Sequence, residues 1–237
     1  MSGKLYGLGL GPGDPELITL KALNIIKRSS VIAYPAPDDG ESFARSIVAE
    51  HIDESQLEIP IVIPMRRERY PAQQVFDEAC KKIRGHLISG SDVVVLCEGD
   101  PFFYGSFMYV FERLQDEFEC EIVPGISSIM ASSSVLQRPM AARNESVIII
   151  PAPLDDEEIL RRMAVAQSII FIKVGRHLAR IRSLIESQGL LDKAGYVERA
   201  TLPNQKSMPL SDFNEETAPY FSILSIYKGD EPWPLKK

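Results

Sequence analysis

Short apolar runs and amphipathic stretches alternate along this chain from its fifth residue, and that alternation restricts the fold more than any single residue does. Leu5-Tyr6-Gly7-Leu8-Gly9-Leu10 reads as a buried strand ending in glycines. Asp14 and Pro15 follow as an N-cap and a first-position proline, the pair that opens a helix, here running to Ile26 and ending at Ser29-Ser30. Val31–Tyr34 is a second strand, stopped by Pro35 and Pro37. A helix over 42–51, a strand over 57–63, a helix over 72–88, a strongly apolar strand over 92–97 and a helix over 106–115 come next. The pattern then restarts, with strands over 120–123, 147–150, 169–174, 195–199 and 220–227 and helices over 127–136, 155–163 and 177–187. Strands alternating with helices of this length predict an α/β protein with largely parallel pairing. The thinning of helices towards the end predicts a mixed sheet there. The acidic stretch Gln115–Glu119 is the expected junction, giving two α/β domains over 1–117 and 118–237. The tail from Gly229 to Pro234 reads as irregular.

Open α/β sheets bind ligands beyond the carboxyl ends of their strands, so the loops there carry the argument. Gly7-Leu8-Gly9-Leu10-Gly11-Pro12-Gly13-Asp14 invites comparison with a dinucleotide fingerprint, and the comparison fails. Pro12 or Asp14 stands where the last glycine is needed, Pro12 lacks an N–H, and an acid at the helix start repels a pyrophosphate. No Gly-Lys-Ser/Thr follows, so a P-loop is excluded too. The loop is glycine-rich for close backbone approach; a tight turn before a capped helix is the bland alternative. Cys97-Glu98-Gly99-Asp100-Pro101-Phe102-Phe103-Tyr104-Gly105 follows the most apolar strand. Its carboxylates can accept from hydroxyls or an ammonium, and its aromatics can pack on a flat ring or a cation. A capped turn over core aromatics is the alternative. Cys97 reads as an inert strand-end thiol. In Val123-Pro124-Gly125-Ile126-Ser127-Ser128 the serines suit a helix cap and could also reach a ligand.

Other residues exclude more than they suggest. His51, His86 and His177 are isolated, the three cysteines have no Cys-x-x-Cys spacing, and no Gly-x-Ser-x-Gly elbow is present. A net charge of −7 argues against nonspecific nucleic-acid binding. The Arg66-Arg67-Glu68-Arg69 cluster, a solvated loop in its plainest reading, could recognise several carboxylates. No signal-peptide pattern and no apolar run of membrane length is seen, so a soluble cytoplasmic protein without membrane or nucleic-acid partners is expected.

Taken together, Gly9-Leu10-Gly11-Pro12-Gly13-Asp14-Pro15, Glu98-Gly99-Asp100-Pro101, Val123-Pro124-Gly125-Ile126-Ser127-Ser128 and Phe171-Ile172-Lys173-Val174-Gly175-Arg176 resemble the tetrapyrrole methylase family, in order and spacing across nearly the whole chain. Ala33-Tyr34-Pro35, the run Asp100–Tyr109 and Tyr196-Val197-Glu198-Arg199-Ala200-Thr201 are most similar to the branch that methylates precorrin-2 or its cobalt complex in cobalamin biosynthesis. The resemblance implies two α/β domains with an active-site cleft between them, a homodimer, and S-adenosylmethionine as methyl donor. It carries cofactor contacts onto Pro12, Glu98, Gly99, Asp100, Phe103, Ser127, Ser128, Val174 and Ala200. A carboxylate-rich tetrapyrrole would be held by Arg66, Arg67, Arg69, Arg45 and Tyr34. The uroporphyrinogen-methylating siblings have an aspartate after the Ala-Tyr pair; Pro35 stands there here, so no proton-accepting residue is implied at that site, no catalytic acid or base is assigned, and no metal is expected. The alternatives are methylation of another precorrin carbon or of diphthine, or tetrapyrrole binding without turnover.

Overall fold

The computed structural model describes residues 2–63 and 70–229. They form two α/β units, residues 1–127 and 128–237 by contact. The first holds a five-stranded parallel sheet in the order β3-β2-β4-β1-β5, with β1 Leu5–Gly9, β2 Val31–Pro37, β3 Leu57–Ile63, β4 Val93–Cys97 and β5 Cys120–Val123. Its helices are α1 Leu20–Arg28, α2 Phe43–Ile47, α3 Tyr70–Ile88 and α4 Phe107–Leu114.

Strand periodicity sorts the apolar residues between the two faces. Leu5, Val31, Val93 and Val95 pack with Ile83 and Leu87 of α3 and Phe107 and Val110 of α4. Tyr6, Leu8, Ile32, Val94 and Leu96 pack with Ile25 and Ile26 of α1 and Ala44 and Ile47 of α2. The chain therefore leaves β1 onto one face and β4 onto the other. β1 and β4 are sheet neighbours whose connections run to opposite edges, which is the topological switch point where such sheets place their ligands.

The second unit carries a mixed sheet in the order β6-β7-β10-β8-β9, with β6 Val147–Pro151, β7 Ser168–Ile172, β8 Ala194–Glu198, β9 Lys206–Pro209 and β10 Ser222–Tyr227. Only β6 and β7 pair in parallel; β10 runs antiparallel to β7 and to β8, and β9 antiparallel to β8. Helices α6 Asp156–Ala164 and α7 Leu178–Ser187 cover one face through Ile159, Met163, Ile181 and Ile185. Helix α5 Ser128–Val135 packs Ile129 on Ile170, Ile172 and Ile223, on the other face.

Four features depart from the sequence expectations. The division falls at Ser127/Ser128 and not at 117/118, because β5 adds to the first sheet beside β1. The first helix is split: Asp14 caps a single 3-10 turn, Ile18 is extended, and Thr19 caps α1 by accepting from Ala22 N–H at 3.2 Å. β2 continues through both prolines. Its pairing with β4 ends at Ala33 while its pairing with β3 runs on to Pro37, and the Pro35 carbonyl accepts from Ser42 Oγ at 2.5 Å; the prolines thus fall where β2 has only one strand neighbour. β9, an edge strand of sequence Lys-Ser-Met-Pro, lacks the apolar pattern that announces a strand. No described helix is long and apolar enough to cross a membrane. Residues 230–234 of the expected irregular tail lie outside the described residues.

Candidate active site

Three loops meet at the carboxyl ends of β1, β4 and β5, and glycine makes their approach possible. Leu10 N–H donates to the Cys97 carbonyl at 2.9 Å, extending the β1–β4 pairing one step past the strands. Gly11 and Gly99 then exchange both backbone hydrogen bonds, at 3.3 and 2.8 Å, as an isolated antiparallel bridge. Both adopt positive φ, 82° and 64°, the region that favours glycine. A Cβ on Gly9 would lie 2.4 Å from Gly125 N, and one on Gly125 would lie 2.0 Å from the Gly99 carbonyl oxygen. No side chain fits at either position without moving a loop. Gly7, one turn of the pleat earlier, makes room for the Phe107 ring, which a Cβ would meet at 2.4 Å.

Asp100 locks this arrangement. Its Oδ2 accepts from Gly125 N–H at 3.1 Å and its Oδ1 from Phe102 N–H at 2.9 Å. One carboxylate thus ties the β5 loop to the β4 loop and sets the turn that carries the aromatics. A carboxylate has about four acceptor positions, so Asp100 keeps capacity for a ligand hydroxyl or ammonium. A Cβ on Gly99 would stand in ordinary van der Waals contact with the β5 loop, 3.8 Å from Ser127 Cα and 3.9 Å from the Ile126 carbonyl oxygen. Backbone groups and carboxylates around this junction fit the hydroxyls and ammonium of a small polar ligand.

Glu98 faces another way. Burial pushes its carboxyl above the ordinary carboxylate range, while hydrogen bonds from its own N–H and from Ala44 N–H in α2 oppose that shift. Cys97 is fully buried, and burial drives its thiol far up, which removes it as a nucleophile. Phe103 and Tyr104 stand edge to face at 5.0 Å, and Phe102 meets Phe111 of α4 in the same manner at 5.1 Å; all three loop aromatics are substantially exposed.

Pro12, Glu98, Gly99, Asp100, Phe103 and Ser127, singled out in the sequence, all lie on these three loops of the first unit. Ser128 is the first residue of α5. Val174 and Ala200 belong to the second unit. Val174 follows β7 with its side chain fully inside the core, so only its backbone is available, and Ala200 sits in the turn after β8. Tyr34 and Arg45 are brought together by a residue that sequence inspection passed over, Glu58 of β3. Arg45 grips it bidentately at 2.9 and 2.9 Å, and Tyr34 hydrogen-bonds to it. The paired guanidinium holds Glu58 below the usual carboxylate range and so leaves Arg45 only its outer N–H groups for a ligand. Arg66, Arg67 and Arg69 lie outside the described residues. Gly9 and Gly125 were also passed over as site residues; the only signal for them was a glycine at or just beyond the end of a strand.

Residues 4–213 match the model of the tetrapyrrole (corrin/porphyrin) methylases. Among curated relatives, the cobalamin biosynthesis protein CobIJ of Mycobacterium tuberculosis is 37% identical over 96% of this chain, which spans only 46% of it, about half its length. The precorrin-2 C(20)-methyltransferase of a Sinorhizobium species is 34% identical, covering 94% of this chain and 95% of that protein. The cobalt-precorrin-2 C(20)-methyltransferase of Salmonella typhimurium is 30% identical, covering 96% and 98%. Among solved structures, the uroporphyrin-III C-methyltransferase of Thermus thermophilus, complexed with S-adenosylhomocysteine, superposes with a TM-score of 0.69 at 22% identity, over 95% of this chain and 98% of that one. That likeness is one of fold.

Proposed function

The chain belongs to the tetrapyrrole methylase family, and on that premise we propose that it transfers a methyl group from S-adenosylmethionine to C20 of precorrin-2, free or carrying cobalt. The observation that carries this reading is the glycine-braced junction of three loops at the β1/β4 switch point, locked by Asp100. The donor supplies an activated methyl group on a sulfonium sulfur.

The protein's own residues then bind and orient. Glu98, Gly99, Asp100 and Phe103, with Pro12, Ser127 and Ser128, form the donor's seat; Val174 contributes through its backbone, and Ala200 through the turn that bears it. Arg66, Arg67 and Arg69, with Tyr34 and the outer N–H groups of Arg45, hold the carboxylates of the tetrapyrrole. A dihydro-tetrapyrrole already has enamine-like carbons. Holding the attacking carbon in line with methyl and sulfur at near-attack distance is then the main task. Pro35 can accept no proton, so the proton released from the methylated carbon goes to water or to a substrate nitrogen. We place the enzyme in the cytoplasm as a homodimer, and sedimentation velocity tests the dimer.

The deciding experiment is incubation with methyl-labelled S-adenosylmethionine and either precorrin-2 or its cobalt complex. The expected product carries one added methyl group, with the label at C20 by NMR. Label at another carbon would assign the chain to a sibling activity, and tetrapyrrole binding without transfer would make it a carrier.

A further inference from the structure

Glu198 is the last residue of β8, charged, and only 2% exposed. Burying a carboxylate is costly unless its lone pairs are taken, and here they are. Tyr196, two residues back on the same strand, donates its hydroxyl to Oε2 at 2.5 Å. Arg199 NH1 lies 3.1 Å and Lys206 Nζ 3.4 Å from Oε1. The strand register explains the meeting: Lys206 of β9 and Ser222 of β10 are both direct cross-strand partners of Glu198. Tyr196 is fixed in turn by its ring, which stacks on Phe213 at 4.0 Å.

The three residues after Glu198 form a turn of unusual backbone. Arg199 has φ 50° and Thr201 has φ 72°, and neither is glycine; a β-branched residue there is a conformational outlier. Such a conformation persists only where its surroundings over-determine it, and it clusters at ligand clamps. Three hydrogen bonds, two of them between backbone groups, hold the turn. Arg199 N–H donates to the Phe221 carbonyl at 2.8 Å, Leu202 N–H to the Arg199 carbonyl at 3.0 Å, and Thr201 N–H to the Gln205 side chain at 2.7 Å. The Arg199 side chain folds back onto Glu198, so the buried carboxylate adds a fixed point at the start of the turn. Ala200 is the residue between the two strained positions.

We propose that Glu198 is a positioning residue for the methyl donor: by gripping Arg199 and Lys206 it holds the Arg199–Ala200–Thr201 turn in its left-handed shape, so that the backbone at Ala200 is preset to meet the cofactor. This rests on the reading that Ala200 belongs to the donor site. Nothing in the chemistry of methyl transfer passes through Glu198.

The test measures S-adenosylhomocysteine binding to the whole protein by calorimetry, with hydrogen exchange across residues 199–205, for wild type, Glu198→Gln and Arg199→Met. In Glu198→Gln the dissociation constant is expected to rise about tenfold, turn amides to exchange faster, and KM for the tetrapyrrole to stay unchanged. The double variant is expected to be no weaker than either single one, because both break the same clamp. A folded Glu198→Gln protein that binds S-adenosylhomocysteine like wild type would overturn the proposal, leaving Glu198 a core group that affects melting temperature alone. Should Glu198→Gln not fold, Arg199→Met decides, since its side chain is about a third exposed: weakened binding supports the clamp and unchanged binding refutes it. A wild-type protein that does not bind S-adenosylhomocysteine at all would overturn the methyltransferase reading and this proposal with it; normal wild-type binding with unaffected variants would overturn the clamp only.

Discussion

Truncating Asp100 strands two backbone donors, the N–H groups of Gly125 and Phe102, which it accepts at 3.1 and 2.9 Å. A stranded donor costs about 1–3 kcal/mol when water is kept away, and less where water can reach it. Asp100→Ala is therefore expected to lose about 1–3 kcal/mol in urea unfolding and, in addition, its affinity for S-adenosylhomocysteine. Loss of stability with binding intact would show that Asp100 only braces the loops. Glu98 makes a pH argument of opposite form. Its folded pKa lies above the ordinary 4.5, so the neutral carboxyl favours the folded state. That contribution is complete below about 4.5 and fades as pH rises through the raised value. Glu98→Gln has no such loss, so its melting temperature is expected to gain on wild type as pH climbs through that window. Parallel melting curves for the two proteins across the window would contradict the burial argument.

Whole elements explain what the sequence made visible and what it hid. Strands such as Val93–Cys97 were legible because every residue is buried and apolar, and helices such as Asp156–Ala164 because their apolar face repeats at helical spacing and Asp155 caps them. The edge strand Lys206–Pro209 was not, because half-solvated pairing leaves no hydrophobic pattern. The site divides in the same way. Its acids, glycines and aromatics were visible as a costly mixture at a strand end. That Gly9, Gly99 and Gly125 touch was not, because a glycine has no side chain through which to advertise its neighbour, and these come from three strands far apart in sequence. Gly125→Ala tests the contact: with a Cβ 2.0 Å from the Gly99 carbonyl oxygen, the loop must shift. About 1–3 kcal/mol of stability, the usual range for overpacking, and most of the S-adenosylhomocysteine affinity are expected to be lost. An alanine variant that binds as wild type would mean the loops separate freely.

The whole molecule carries a net charge of −7 and is proposed to take a substrate rich in carboxylates. Long-range attraction is then absent, and the local arginines must supply what binding there is. Salt at about 0.5 M shortens the screening length to a few ångströms, so KM for the tetrapyrrole, with its many carboxylates, is expected to rise more than KM for the donor, whose net charge is a single positive one. A tetrapyrrole KM that falls with salt would say that net repulsion governs and that Arg66, Arg67 and Arg69 are not its anchors. Each unit owns a core that the alternation of strands and helices made legible. The boundary was harder to place, because β5 belongs to the first unit by pairing and only its sequence neighbours suggest the second. The glycine contacts have one more consequence, for tolerance of change. Three loops pinned to one another at single backbone points behave like a tripod: between the feet, sequence and length are free to drift, while any bulk at a foot tilts all three legs together.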